Sequence, residues 1–195
     1  MRGNGTPEAE LIHYLETARD ALVWKVRGVS EFDARRPMTP TGTNLLGLLK
    51  HCTWVEAGYV GAIFDRPFPE PLWVDEDPEP TGSDMFATAE ESTADLLALL
   101  DRVRAHTDSV IADLDLDTVG TVPWWAPDAN TCTLHEALVR MIGEWNRHAG
   151  HADILRELID GTVGYTEAND NLPGSDEIDW PTHVARLQGI ADTFR

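Results

Sequence analysis

The sequence predicts an all-α fold: a four-helix bundle with long crossover loops and a short C-terminal helix, forming a single domain. Three observations carry this. Four long segments space their apolar residues at i, i+3 and i+4, the period of a helix with one buried face. No strand-like alternation persists for more than a few residues. The 195 residues suffice for one domain with a substantial core. The bundle is expected over about 7–161, with 162–195 as a C-terminal extension of the same domain.

The first helix is expected from about Pro7 to Val29. Thr6 suits its N-cap and Pro7 its first helical position. Leu11, Leu15, Ala18, Leu22 and Val26 form its apolar stripe. The second is expected to open near Thr43, after the breaker-rich stretch Pro37–Gly42, and to end before Arg66. Leu45, Leu48, Leu49, Cys52, Val55 and Val60 form its inner face. An acidic, proline-rich connection follows, through Asp84. It contains Trp73 and reads as a crossover loop or a lid.

A third helix is expected from Ser83 or Asp84 to about Leu114, with Phe86, Ala89, Leu96, Leu100, Val103 and Ile111 on its stripe. The connection from Asp115 to Asn130 holds Pro123-Trp124-Trp125-Ala126-Pro127, a stiff aromatic loop. The fourth helix begins at Thr131 to Thr133. Thr133 and Glu136 have capping-box spacing, and Gly161 suits the C-cap. Leu134, Leu138, Met141, Trp145, Ala152, Leu155 and Ile159 define the inner face. A short helix is expected within Pro181–Phe194.

Composition narrows the function. The formal charge is −19. That argues against nucleic acid and anionic membrane surfaces as partners. No apolar run approaches the roughly 18 residues of a membrane span, and the polar N-terminus does not read as a signal peptide. The cytoplasm is therefore the expected compartment. Cys52 and Cys132 are too few for a disulfide framework.

The informative stretch is Glu144-Trp145-Asn146-Arg147-His148-Ala149-Gly150-His151. Glu144 and His148 are four apart and His151 is three further on, so all three fall in one arc of a helix. Met141, Ala152 and Leu155 share that arc, which makes it the inner one. Polar groups on a core stripe are costly without partners. A divalent metal supplies one, because a carboxylate and an imidazole one turn apart can reach the same ion. His51, flanked by Leu48, Leu49 and Val55, is the best third ligand. Glu144 and His148 would otherwise be an ordinary surface pair, a reading that Trp145 and Met141 disfavour. His151 is read as a fourth ligand, a general base or, as first choice, a partner that holds the ligands. Zinc is the first choice of ion, with nickel, iron and manganese equally compatible in donor chemistry.

Two motifs resemble a known family. Thr41-Gly42-Thr43-Asn44-Leu45-Leu46-Gly47-Leu48-Leu49-Lys50-His51, with Trp54-Val55-Glu56 after it, is similar to the second-helix signature of the DinB-like superfamily. Glu144 to Gly161 is similar to the fourth-helix signature of one branch, related to mycothiol-dependent maleylpyruvate isomerases. The resemblance extends from about Ala9 to Gly161. It implies an up-down-down-up bundle and a divalent ion held by one residue of the second helix and two of the fourth. His51 and His148 match histidine positions of that pattern. Glu144 stands where many members carry histidine but where the isomerases use glutamate.

The resemblance also implies an enzyme that uses a low-molecular-weight thiol such as mycothiol as co-substrate with a small-molecule substrate, and a homodimer. The first functional reading is thus a metal-dependent thiol S-transferase or thiol-assisted isomerase, in which thiolate is the nucleophile. A second is a metal-dependent hydrolase with His151 or Glu56 as base. A third is a non-catalytic metal- or small-ligand-binding stress protein. Cys52 adjoins His51, but its place on the apolar stripe favours a core role.

Overall fold

The computed structural model describes residues 5–72, 82–174 and 177–195. Trp73 and most of the acidic connection, and with them the lid reading, lie outside the described residues. Among the described residues the chain is mostly helical, with one small two-stranded sheet. It divides into two compact units, the first ending at Val163 and the second running from Gly164 to Arg195.

In the first unit, α1 spans Pro7–Val26, capped by Thr6, whose side chain accepts from Ala9 N–H. Leu15, Ala18, Leu22 and Val26 are buried, as the stripe requires. The helix stops short of the expected Val29, because Arg27 is extended and Gly28 takes a left-handed φ. A short helix that periodicity had not indicated, α2 (Glu31–Arg35), follows behind the Ser30 cap. Five residues are too few to carry a periodic signal.

The next helix, α3, spans Leu45–Glu56 and is capped by Asn44 rather than opening at Thr43. The chain then coils on as a π-turn over Ala57–Gly61 and a 3₁₀ turn over Ala62–Phe64. The expected third helix is shorter at its start than the sequence suggested. Ser83–Met85 is a separate 3₁₀ turn, and Phe86 is extended. The helix itself, α4, spans Thr93–Asp113 behind a Ser92/Asp95 capping box. That reciprocal cap competes successfully with the apparent periodicity upstream, and Phe86 is left 44% exposed.

Between α4 and the last long helix lies a short hairpin. Strand β1 (Val119–Thr121) pairs antiparallel with β2 (Thr131–Thr133), placing Gly120 opposite Cys132. Strands of three residues are too short to show alternation. The aromatic loop at the hairpin tip is fixed by Tyr59, whose phenol oxygen accepts from both the Trp124 and Trp125 indole N–H groups at 3.2 Å. β2 leads directly into α5 (Leu134–Asp160), which has the Thr133/Glu136 capping box and the left-handed Gly161 cap.

Helix α1 packs against α5 and α3, and α3 packs against α4 and α5. The apolar core between them includes Leu22, Leu46, Leu49, Leu100, Leu138 and Trp145. At its centre is a polar node drawn from all four long helices. Glu56 (α3) accepts from Arg19 (α1), from Thr107 (α4) at 2.7 Å and from the Trp145 indole (α5) at 2.8 Å. Arg19 also donates to Asp108 at 2.8 Å. Arg19, Glu56 and Thr107 are fully buried. Burial without partners would be prohibitive, so this node fixes how the helices meet.

The second unit holds α6 (Trp180–Asp192), capped by Asp179, close to the short helix expected at the C-terminus. None of its residues is buried. No described helix is long and apolar enough to cross a membrane.

Candidate metal centre

The middle of α3 supplies His51. The middle of α5 supplies Glu144 and His148, one helical turn apart. The geometry brings the three together. Glu144 Oε1 lies 3.1 Å from His51 Nε2 and 3.0 Å from His148 Nε2. One potential ligand atom from each residue falls within 4.8 Å of the other two. The imidazole rings of His51 and His148 meet edge to face, with centroids 5.0 Å apart. Donors bound at about 2.0–2.2 Å to one ion sit roughly 3.0–3.5 Å from each other. Two imidazole nitrogens and one carboxylate oxygen, so spaced, could hold a divalent ion. They are also fewer donors than the four such an ion ordinarily takes.

The surroundings favour ligand-ready protonation states. Burial tends to raise the Glu144 carboxyl. Hydrogen bonding to His51 and the charge of His148 outweigh that, and the group lies below its ordinary value. His148 is buried, and burial lowers its pKa; the neighbouring His51 and His151 add to this and overcome the attraction of Glu144. A carboxylate that ionises easily beside an imidazole that gives up its proton easily suits metal coordination, where both must be deprotonated.

Each imidazole is held at its other nitrogen. His51 Nδ1 lies 2.6 Å from Asp84 Oδ2. His148 Nδ1 lies 3.2 Å from His151 Nδ1. Of that last pair one nitrogen donates and the other accepts. His151 therefore sits beside the cluster, exposed to solvent, touching His148 rather than Glu144 or His51. Asp84 is the contributor that sequence reasoning missed. It stood at the presumed start of the third helix, and no local signal links it to a residue 33 positions earlier.

Two other candidates fall away. Glu56 is fully buried and its carboxylate is engaged by Arg19, Thr107 and Trp145, so it has no access to a substrate and the reading of it as a base is overturned. Cys52 is buried among apolar side chains. Burial, and then the charges of Glu144 and Glu56, push its thiol well above the ordinary range. It is not a thiolate at neutral pH, and the core role stands.

A cavity of about 470 Å³ opens beside the coil that continues α3. Its lining is mainly apolar and aromatic, including Trp54, Val55, Tyr59, Phe68, Leu72 and Trp124. None of the three cluster residues lines it. His51 and Val55 nevertheless lie one turn apart on α3, and Val55 lines the cavity.

Buried helices that direct a glutamate and two histidines toward one point define a class of helical protein with a candidate divalent-metal centre. A family model described as mycothiol-S-transferase matches residues 10–161. The chain belongs to that DinB-like family. No curated protein matches the chain. Among solved structures, a conserved protein from Enterococcus faecalis is similar at a TM-score of 0.59 and 17% identity, covering 80% of this chain and 99% of its own. At that identity the likeness concerns the fold alone.

Proposed function

We propose that this protein is a metal-dependent thiol S-transferase of the mycothiol type, which joins a low-molecular-weight thiol to a small apolar electrophile, or a thiol-assisted isomerase, which adds the thiol and releases it unchanged. The observation that carries the reading is the convergence of His51, Glu144 and His148 within 4.8 Å, in a chain of the mycothiol-S-transferase family. In this reading about 7–161 forms the up-down-down-up bundle, and the chain acts in the cytoplasm as a homodimer of single-domain protomers.

His51, Glu144 and His148 would hold the ion, with zinc as first choice and nickel, iron and manganese as alternatives. When bound, the ion supplies positive charge that favours the thiolate form of a thiol beside it. The chain's own residues do the rest. His151 serves as the acceptor that keeps the Nδ1 proton of His148, leaving His148 Nε2 as a lone-pair donor. Glu144 stays ionised and balances the charge of the site. The cavity beyond His51 is in the range of small-molecule sites. Its aromatic walls would seat an apolar electrophile, exclude water and bring the reacting carbon toward the thiol.

The test is conjugation. Zinc-loaded protein, given mycothiol and a panel of apolar electrophiles, is expected to consume thiol and electrophile together. His148→Ala is expected to lose both bound zinc and turnover. No acceleration with any electrophile, measured with zinc demonstrably bound, would overturn the transferase reading. Turnover of esters or amides without thiol would replace it with hydrolysis.

A further inference from the structure

Segment 83–91 is clipped to one face of α3, at Gly47, Lys50 and His51, which are spaced i, i+3 and i+4. At the first point, a Cβ on Gly47 would lie 1.9 Å from the carbonyl oxygen of Met85 and 2.6 Å from its carbon. Only glycine lets the backbone of the turn come so close. At the second, the Lys50 ammonium donates to Phe86 O at 3.1 Å and to Glu91 Oε2 at 2.8 Å. Glu91 Oε2 also accepts from Thr88 N–H at 2.7 Å, which closes the segment on itself. At the third, Asp84 meets His51 Nδ1 at 2.6 Å.

We infer that this docked turn is a positioning element: Asp84 holds the His51 ring so that Nε2 faces Glu144 and His148, and Gly47 is the residue that lets it do so. The inference rests on the metal reading of the site given above. Its physical content is specific. Imidazole has two nitrogens, and a metal ligand must offer the unprotonated one. A carboxylate at Nδ1 fixes the proton there and stops the ring from turning about its Cβ–Cγ bond. The Asp84 carboxylate is itself carried by a 3₁₀ turn of three residues, Ser83–Met85. Such a turn holds its place only through what it leans on. It leans on Gly47, four residues before the histidine that it orients. Lys50 adds a second fastening, beside that histidine.

The inference makes Gly47 and Asp84 one functional unit although neither is a ligand. Zinc affinity, measured by competition with a chromophoric chelator, reads this directly. Asp84→Ala is expected to weaken zinc binding about 10–100-fold, the usual cost of losing such a partner. Asp84→Asn keeps an acceptor without the charge and is expected to fall between Asp84→Ala and the unaltered protein. Gly47→Ala displaces the turn and is expected to weaken zinc by a similar factor. The double variant should then match the worse single variant, since one lost contact cannot be lost twice.

Should Gly47→Ala not fold, the Asp84→Ala and Asp84→Asn pair still decides the role of Asp84. A merely structural role for Asp84 would lower the melting temperature of the metal-free protein and leave zinc affinity alone; that result overturns the inference. Zinc affinity unchanged in Asp84→Ala but lost in His148→Ala refutes the inference while the metal site stands. Equal zinc binding by the unaltered protein and His148→Ala refutes the metal reading itself. Effects that multiply in the double variant would separate Gly47 from Asp84 and overturn their coupling.

Discussion

Replacing Glu56 by Gln tests whether the buried node is what registers the helices. The side chain keeps its shape, but one acceptor oxygen becomes an NH₂ donor. In either orientation that group faces donors. One carboxylate oxygen accepts from Arg19 Nε at 2.9 Å and from the Trp145 indole at 2.8 Å. The other accepts from Arg19 Nη2 and from Thr107 Oγ1. Two hydrogen bonds are lost with the amide nitrogen toward Arg19 Nε and Trp145, and one, from Arg19 Nη2, with it on the other side, where the Thr107 hydroxyl can turn to accept from the amide and donate to Val103 O. The Arg19 charge, fully buried, also loses its carboxylate and keeps only Asp108, whose side chain is 46% exposed. Breaking a buried pair by removing one partner costs about 3–5 kcal/mol. The retained Asp108 contact favours the middle of that range, about 4 kcal/mol. For a chain of this size that is a fall in Tm of about 8–16 °C. Urea unfolding followed by far-UV circular dichroism gives the free energy. A loss under about 1 kcal/mol would refute the argument. The paired variant Arg19→Met with Glu56→Leu should recover most of the loss, because it removes both charges together.

Three further outcomes are expected. Glu31 accepts the Thr93 backbone N–H and pairs with Arg35, which together hold its carboxyl below the ordinary value. Its contribution is complete above the unfolded-state pKa of about 4.3 and is lost as pH falls through the lower folded value. The gap in Tm between the unaltered protein and Glu31→Gln is therefore full at neutral pH and closes in acid; a gap that widens in acid contradicts the assignment. Gly161 sits at φ +76° with open space around its Cβ position, so Gly161→Ala suffers backbone strain alone, about 1 kcal/mol, read as a Tm lower by about 2–4 °C. Gly58→Leu fills the cavity beside Trp124 and should raise KM for the electrophile on the order of tenfold with zinc affinity unchanged; an unchanged KM removes the cavity from the substrate path.

What the sequence discloses and what it conceals divide by the range of the interaction. Thr6, Thr133 with Glu136, and Gly161 act within one helical turn of the ends they mark, and each sits where local spacing placed it. Glu144 and His148 were legible for the same reason: four residues on a helix is one turn, and apolar neighbours marked which face was inner. His51 could be paired with them because it too lies among core residues at helical spacing. Asp84 and Glu56 are the opposite case. Asp84 belongs to His51 only because Gly47 admits a turn whose own residues read as the start of a helix. The capping box eight residues further on decides that boundary, and it is a competition between local signals that periodicity cannot weigh. Glu56 read as a free carboxylate near the site. Its three partners come from α1, α4 and α5, each far away in sequence. A carboxylate five residues from a candidate ligand thus carries two readings, base or structural node, and only the donors brought to it by other helices choose between them. The same logic bears on His151. Its local spacing puts it beside the candidate ligands, but its contact is with His148 Nδ1, so any part it takes in the proposed site runs through that imidazole.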